Sequence, residues 1–297
     1  MKSPISDRLA QAFATMPPQL KVAARWVADH PADVALLSMR EQARRAGVPL
    51  PTLSRLARRL GFDGFEALKA VHAGHMREQH GSFRGSAENL LRRRHVQKDD
   101  EFISDHMTQL GRHLTALTSK DAVTSFIGAA DRIGAARRIF CIGLRSSFAP
   151  AFMFHYIRSL FGADSVLLDS VGGTGLDVLR AIGADDVLLA VSIEPYARQT
   201  LHAVKFAAER KIGIIALTDS LLSPIASLAD ISIIVSTRTP SFFHAMTPAL
   251  AAAECLAALV AHRRGKQSLA AIARSDQQLA AFDSYVATPR KGRKGRS

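Results

Sequence analysis

Residues 38–61 read Ser38-Met-Arg-Glu-Gln-Ala-Arg-Arg-Ala-Gly-Val-Pro-Leu-Pro-Thr-Leu-Ser-Arg-Leu-Ala-Arg-Arg-Leu-Gly61, and their spacing predicts two short helices joined by a turn at Gly47. Ser38 offers a side-chain oxygen to the otherwise unpaired amides of a first turn, and Glu41 three places on completes a capping box. Met39, Ala43 and Ala46 recur at i, i+4 and i+7, one face of a helix. Gly47 tolerates the left-handed backbone that ends a helix, and Val48 packs back as an apolar anchor. A second helix follows from about Leu50, with Pro49 and Pro51 in its first turn, where a missing amide hydrogen costs little. Leu53, Leu56, Ala57 and Leu60 give it an inward face, and Thr52, Ser54, Arg55, Arg58 and Arg59 form the outward set.

Two helices across so tight a turn have the geometry of a helix-turn-helix, here over about residues 39–58, whose second helix enters the major groove by its amino end. Leu50, Pro51, Thr52, Ser54 and Arg55 are then the expected contacts to bases and nearby phosphates, and Arg58 and Arg59 the phosphate clamps. A small helical bundle with a solvated arginine face shows the same caps, but the charge distribution argues against that reading. Of the formal excess of +13, residues 1–95 hold 16 Lys and Arg against 8 Asp and Glu, residues 96–289 hold 18 against 18, and residues 290–297 hold 5 against none. Positive charge concentrated on one segment and one tail is what a polyanion partner requires, and double-stranded operator DNA is the partner expected.

A chain of 297 residues exceeds the usual size of one domain. The expected division is a wholly helical head at residues 1–77, a linker and bridging helix at 78–119, an α/β domain at 120–265 and a tail at 266–297 with a disordered basic end. The linker carries Arg92-Arg93-Arg94, and its bridging helix is drawn from Phe102 to Ser119. Cys141 and Cys255 lie in apolar segments with no sign of a disulfide framework or zinc cluster, so no metal or cofactor is expected, and a reducing cytoplasm fits. No charged-then-apolar leader stands at the start, and no apolar run reaches the roughly 20 residues of a membrane span.

From Arg137 short apolar runs alternate with helical segments, the pattern of a three-layer, doubly wound parallel sheet. The strands expected are Arg138–Ile142, Ser165–Leu168, Val187–Val191, Gly213–Leu217 and Ile231–Val235. Helical segments are expected at Phe148–Leu160, Thr174–Ala181, Ala197–Arg210, Ser223–Leu228 and Pro248–Ala261. Ligands of such sheets bind beyond the carboxyl ends of the strands. Strand one ends in Gly143-Leu-Arg145-Ser146-Ser147, strand three continues from Ser192 through Tyr196 to Arg198, and strand four ends in Thr218-Asp219-Ser220. Hydroxyls and two guanidinium groups thus converge on one crevice suited to a small anion. Each serine taken alone reads equally well as a helix cap.

From about Ser3 to Arg264 the chain resembles the RpiR (MurR) family of bacterial transcription regulators, a helix-turn-helix domain followed by a sugar isomerase (SIS) domain. The amino-terminal likeness rests on Ala43-Arg-Arg-Ala-Gly-Val48, Thr52-Leu-Ser-Arg55, Arg59-Leu-Gly-Phe62 and Gly64-Phe-Glu-Ala-Leu-Lys69. The carboxyl-terminal likeness rests on Ile142-Gly143, Ser146-Ser147, Ser192, Thr218-Asp-Ser220, Ser223-Pro224 and Ala229-Asp230. The resemblance implies a DNA-binding regulator, commonly a repressor, whose second domain senses a phosphosugar. Two-fold pairing of reading helices implies a homodimer or tetramer. The chain departs from the pattern at Pro49, where serine is common, and at Arg145, where glycine is common. It departs again at Ser192-Ile-Glu-Pro-Tyr-Ala-Arg-Gln199, where Ser-x-Ser-Gly-x-Thr-x-Glu is common. Backbone contact to phosphate is weakened and two guanidinium groups are added, so the expected effector is a small anionic metabolite, a sugar phosphate or related carbohydrate derivative. Two rival readings stand beside it. One is a sugar-phosphate isomerase, for which Glu194, Glu254 and His244 are the candidate proton-transfer groups. The other is a DNA-binding protein whose sheet serves only to dimerise.

Overall fold

The structure, a computed structural model, describes residues 4–30, 33–34, 37–78, 83, 87, 90–91, 98–162, 164–169 and 171–286. Arg92–Arg94 and the basic stretch 290–297 lie outside the described residues.

The head contains α1 (Pro4–Phe13), α2 (Pro18–Asp29), α3 (Met39–Ala46), α4 (Leu50–Arg59) and α5 (Phe65–Glu78). The Ser38 hydroxyl accepts the Glu41 amide at 3.3 Å, and Gly47 ends α3 in the left-handed region at φ 64°. Val48 returns its amide to the Ala43 carbonyl at 3.1 Å, the hydrogen bond that closes the turn. Helix α4 packs on α2, α3 and α5, burying Leu53, Leu56 and Ala57 against Trp26, Val27 and Leu68. Three neighbours demand a wide buried stripe, and this corrects one expectation. Thr52, read as outward, is buried at 7% exposure, because it stands four residues before Leu56 and shares that residue's face. A contact the sequence reading missed holds the approach to α3: the buried Gln42 amide donates to the carbonyls of Val34 at 3.0 Å and Leu37 at 2.9 Å.

Beyond the linker come α6 (Asp99–Ala116) and α7 (Lys120–Ala135), then β1 (Ile139–Gly143), α8 (Phe148–Phe161), β2 (Ser165–Leu168), β3 (Val187–Ser192), α9 (Arg198–Glu209), β4 (Gly213–Thr218), β5 (Ile231–Ile234), α10 (Thr247–Arg264) and α11 (Lys266–Ala281). The strands run parallel in the order β2-β1-β3-β4-β5. Helices α7, α8 and α10 cover one face through Phe126, Phe154 and Leu256, and α9 covers the other through Ala203, Val204 and Ala207. With both faces covered, every residue of β1, β3 and β4 is buried, which is why these strands read as unbroken apolar runs. No helix among the described residues is long and apolar enough to cross a membrane.

Three differences from the sequence expectation concern this half. The bridging helix drawn at Phe102–Ser119 is α6, shifted to Asp99–Ala116, and a helix that was not expected, α7, starts afresh behind it with Ser119 accepting the Ala122 amide at 3.3 Å. The segments 174–181 and 223–228 shorten to 3₁₀ turns at Asp177–Ala181 and Ala226–Leu228. Residues 266–281, expected in the tail, form α11, which packs on α8 and α10 and donates the Ser275 hydroxyl to the Leu160 carbonyl at 2.7 Å. Because α11 fully buries only Ser268, its sequence carries no apolar stripe to announce it.

At the amino ends of β1 and β3, opposite the crevice, the buried Asp186 carboxylate accepts Arg137 at 2.9 and 3.0 Å, Arg138 at 2.9 Å and the Gly183 amide at 2.8 Å. Burial pushes this carboxyl up, but the bonds from both arginines and the amide outweigh it and hold the group far below the usual carboxylate range. A depressed folded value contributes stability above the unfolded value near ~4 and loses it as pH falls. Asp186→Asn is expected to lower the unfolding free energy by about 2 kcal/mol at pH 7, with the gap to wild type narrowing below pH ~4. Urea melts at both pH values measure this, and an unchanged gap would refute the role assigned to Asp186.

Candidate functional site

Two surfaces carry the chemistry. On the head, Leu50, Pro51, Arg55, Arg58 and Arg59 are exposed along α4, while Ser54 is half-buried with its hydroxyl 3.6 Å from the Met39 sulfur. Two of the three arginines of α3 are otherwise engaged, and Arg40 is exposed. Arg44 and Arg45 both bond Glu41, holding its carboxyl down to about 2, and Arg45 also pairs with Asp33 at 3.1 Å. Arg59, expected as a phosphate clamp, donates to the Thr15 carbonyl at 3.0 Å and hydroxyl at 2.9 Å, which braces the turn between α1 and α2. Arg55 and Arg58 project without an ion pair among the described residues.

The second surface lies beyond the carboxyl ends of the strands. Between β1 and β3 the strand order reverses, so the loops leaving these two neighbours run to opposite sides and open a crevice. Gly143 ends β1, and a Cβ there would overlap the Ser147 carbonyl. Only a bare backbone lets the chain fold straight from β1 into the turn Arg145–Ser147 and α8. That turn buries Ser147 and leaves Ser146 half-buried and Arg145 exposed. From β3 the chain passes the buried Ser192, whose hydroxyl accepts the Ala197 amide at 3.3 Å, and reaches the exposed Arg198 at the start of α9. From β4, Thr218 donates to the Ser192 carbonyl at 2.7 Å, and Ser220 accepts the Leu222 amide at 3.1 Å. Ser192 and Ser220 therefore act at least as local caps, and Ser147 caps no amide by its side chain.

Across the crevice the Tyr196 hydroxyl donates to Asp219 at 3.0 Å. Burial, with the carboxylates of Asp219, Glu194 and Asp29 around it, pushes that hydroxyl far up. Asp29 belongs to the end of α2, so the head stands beside the crevice. Leu221 and Leu222, next to Ser220, pack against the head's apolar core. Sequence reasoning did not find this contact, since nothing local marks two leucines as belonging to another core. Ser146 and the His244 Nε2 lie 2.7 Å apart, and burial pushes the His244 imidazole down against a smaller opposing pull from Asp219. His244 was singled out only as an isomerase base; the structure sets it among the crevice residues. Glu254 is exposed on α10. A separate depression at the far end of α10, lined by Asp131, Arg263, Arg264 and Gln267 among others, shares no residue with the crevice.

Residues 133–259 match the SIS domain family. An uncharacterised HTH-type transcriptional regulator of Clostridium perfringens is 27% identical over 192 residues, 63% of this chain and 66%, just under two thirds, of that relative's length. The sugar isomerase domain of an RpiR transcription factor from Sphaerobacter thermophilus aligns at 26% identity and TM-score 0.55, covering 58% of this chain and 96% of that one. The NanR protein of Vibrio vulnificus, solved with ManNAc-6P, shares the fold at 18% identity and TM-score 0.53, covering 94% of this chain and 98% of its own.

Arg145 holds φ 55°, a left-handed conformation that costs a side chain roughly 1–2 kcal/mol. Arg145→Gly relieves that strain, offset in part by ~0.5–1 kcal/mol of extra freedom in the unfolded chain. The thermal midpoint is expected to rise by about 1–3 °C while one guanidinium leaves the crevice. A lower midpoint in calorimetry would overturn the assigned backbone.

Proposed function

We propose, from the SIS domain at residues 133–259, that this chain is a cytoplasmic RpiR-type transcription regulator whose head binds operator DNA and whose crevice senses a small anionic carbohydrate derivative. One observation carries the reading: the loop after β4 supplies Asp219 and Ser220 to the crevice and, with Leu221 and Leu222, touches the core of the head. A ligand that prefers one position of this loop therefore shifts the position of the head, which is all that coupling between two sites requires. A SIS domain serving only to dimerise has no need of guanidinium groups at its strand ends.

Arg55, near the amino end of α4, is the base reader in this proposal, and Arg58 a phosphate contact. Arg145 and Arg198 bind the anion through paired hydrogen bonds, with Ser146 and Ser147 as neutral partners. Glu194 and Pro195 stand where the family turn offers a hydroxyl and a glycine, so recognition passes from backbone amides to side chains. The working assembly is a homodimer or tetramer, because one reading helix covers only a short half-site. Repression is the expected sign of regulation. Isomerisation is the rival; turnover of common sugar phosphates by the purified chain would favour it.

Fluorescence anisotropy with DNA from the promoter next to the protein's own gene tests the head. Arg55→Ala is expected to weaken binding about tenfold or more and relax base preference, and Arg58→Ala to weaken all sequences alike and lower the salt slope by about 1. Harmless Arg55 changes would displace α4 from its role. A thermal-shift panel of sugar phosphates and organic acids tests the crevice: an active compound is expected to raise the midpoint of wild type and not of Ser147→Ala or Arg198→Ala, both keeping operator affinity. A shift that survives both substitutions puts the ligand elsewhere.

A further inference from the structure

The loop from Val235 to Met246, between β5 and α10, reaches the crevice at one end and the linker at the other. Inside the crevice His244 Nε2 meets the Ser146 hydroxyl at 2.7 Å. The Phe243 ring stacks on His244 with centroids 4.2 Å apart and planes at 28°. Phe243 also stacks on Phe83 at 5.5 Å and 19°, and Phe83 belongs to the segment joining the head to α6. The rest of the loop is fastened: the His113 ring meets the Arg238 carbonyl at 2.6 Å, Thr239 meets His106 at 3.4 Å, and the Ala245 amide donates to the Thr237 carbonyl at 2.9 Å. The Phe243 amide donates to the Ser241 hydroxyl at 3.3 Å, so the backbone of the tip is held as well, and the exposed side chains of Phe242 and Phe243 are the part of the loop with room to turn.

We infer that His244 is a positioning residue that joins the crevice to the linker through the stack Ser146–His244–Phe243–Phe83. With the His244 proton on Nδ1, Ser146 donates to Nε2, and an anionic oxygen that takes the Ser146 proton for itself removes the hydrogen bond orienting the imidazole. His244 and Phe243 turn together because their faces are in contact, and Phe83 loses its stacking partner. The linker then changes its attachment to the body without any movement of the sheet. One hydrogen bond and one aromatic stack together shift such an equilibrium by about tenfold. This inference rests on the proposed ligand crevice only for what triggers the change; the stack itself is present without ligand.

The test uses the full chain with 4-fluorophenylalanine at position 83, read by fluorine NMR with neither DNA nor ligand. Phe243→Ala sets the resonance of the unstacked ring. Ser146→Ala and His244→Ala are expected to move the signal at least halfway toward that position. Ser146→Thr, which keeps a hydroxyl, is expected to restore the wild-type resonance, and Ser147→Ala to leave it in place. A resonance that stays at its wild-type position in both Ser146→Ala and His244→Ala, or that Phe243→Ala fails to move, overturns the inference. Because no ligand is added, failure here is distinct from failure of the effector panel, which leaves the stack intact.

Discussion

The turn at Gly143 is the constraint from which the crevice follows. A parallel strand must hand the chain to a covering helix, and here it does so within four residues, with the Ser147 carbonyl folded back to where a side chain on residue 143 would be. That close return directs Ser146 and Ser147 to the strand ends and forces Arg145 into the left-handed region. Beside it, the reversal of strand order between β1 and β3 keeps the loop from Ser192 to Arg198 from closing over the same space. The opposite edge is tied by Asp186 to Arg137 and Arg138; β1 and β3 stay paired through Gly143 and Val191, and only the loops beyond them diverge.

Charge is divided along the same lines. The body balances its own charges through pairs such as Arg158 with Asp164 and Arg263 with Asp131. In the head, Glu41 pairs with Arg44 and Arg45, which offsets part of the charge of α3, while Arg40 of α3 and Arg55 and Arg58 of α4 stay exposed. A cation without a protein partner keeps its full attraction for phosphate, whereas a paired one must first give up its carboxylate.

Head and body meet where the crevice opens. Leu221 and Leu222 continue directly from Ser220, and the aromatic tip of the loop before α10 joins the crevice to Phe83. Both junctions are apolar contacts built on loops whose other ends carry the polar groups of the site. In the reading proposed above, a change in polar partners at one end of such a loop becomes a change in packing at the other.

Local signals were legible in the sequence wherever the cause is local. Ser38, Glu41 and Gly47 define a helix and its end by hydrogen bonds within one turn, and the sheet strands announced themselves as apolar runs because both their faces are buried. The serines, Arg145, Tyr196 and Arg198 were legible as strand-end residues for the same reason. Thr52, Gln42, α11, His244 and the leucine pair were not, and each depends on a neighbour outside its own helix or loop. Thr52 is buried because three helices surround α4, Gln42 serves carbonyls five and eight residues before it, and His244 meets Ser146 across 98 positions. The sequence by itself determined the two helices around Gly47 and the five strands, since capping and unbroken apolar runs act over a few residues. Only the tertiary structure decided which faces those segments hide and which polar groups they bring within reach, since burial is a property of every surface packed around a residue.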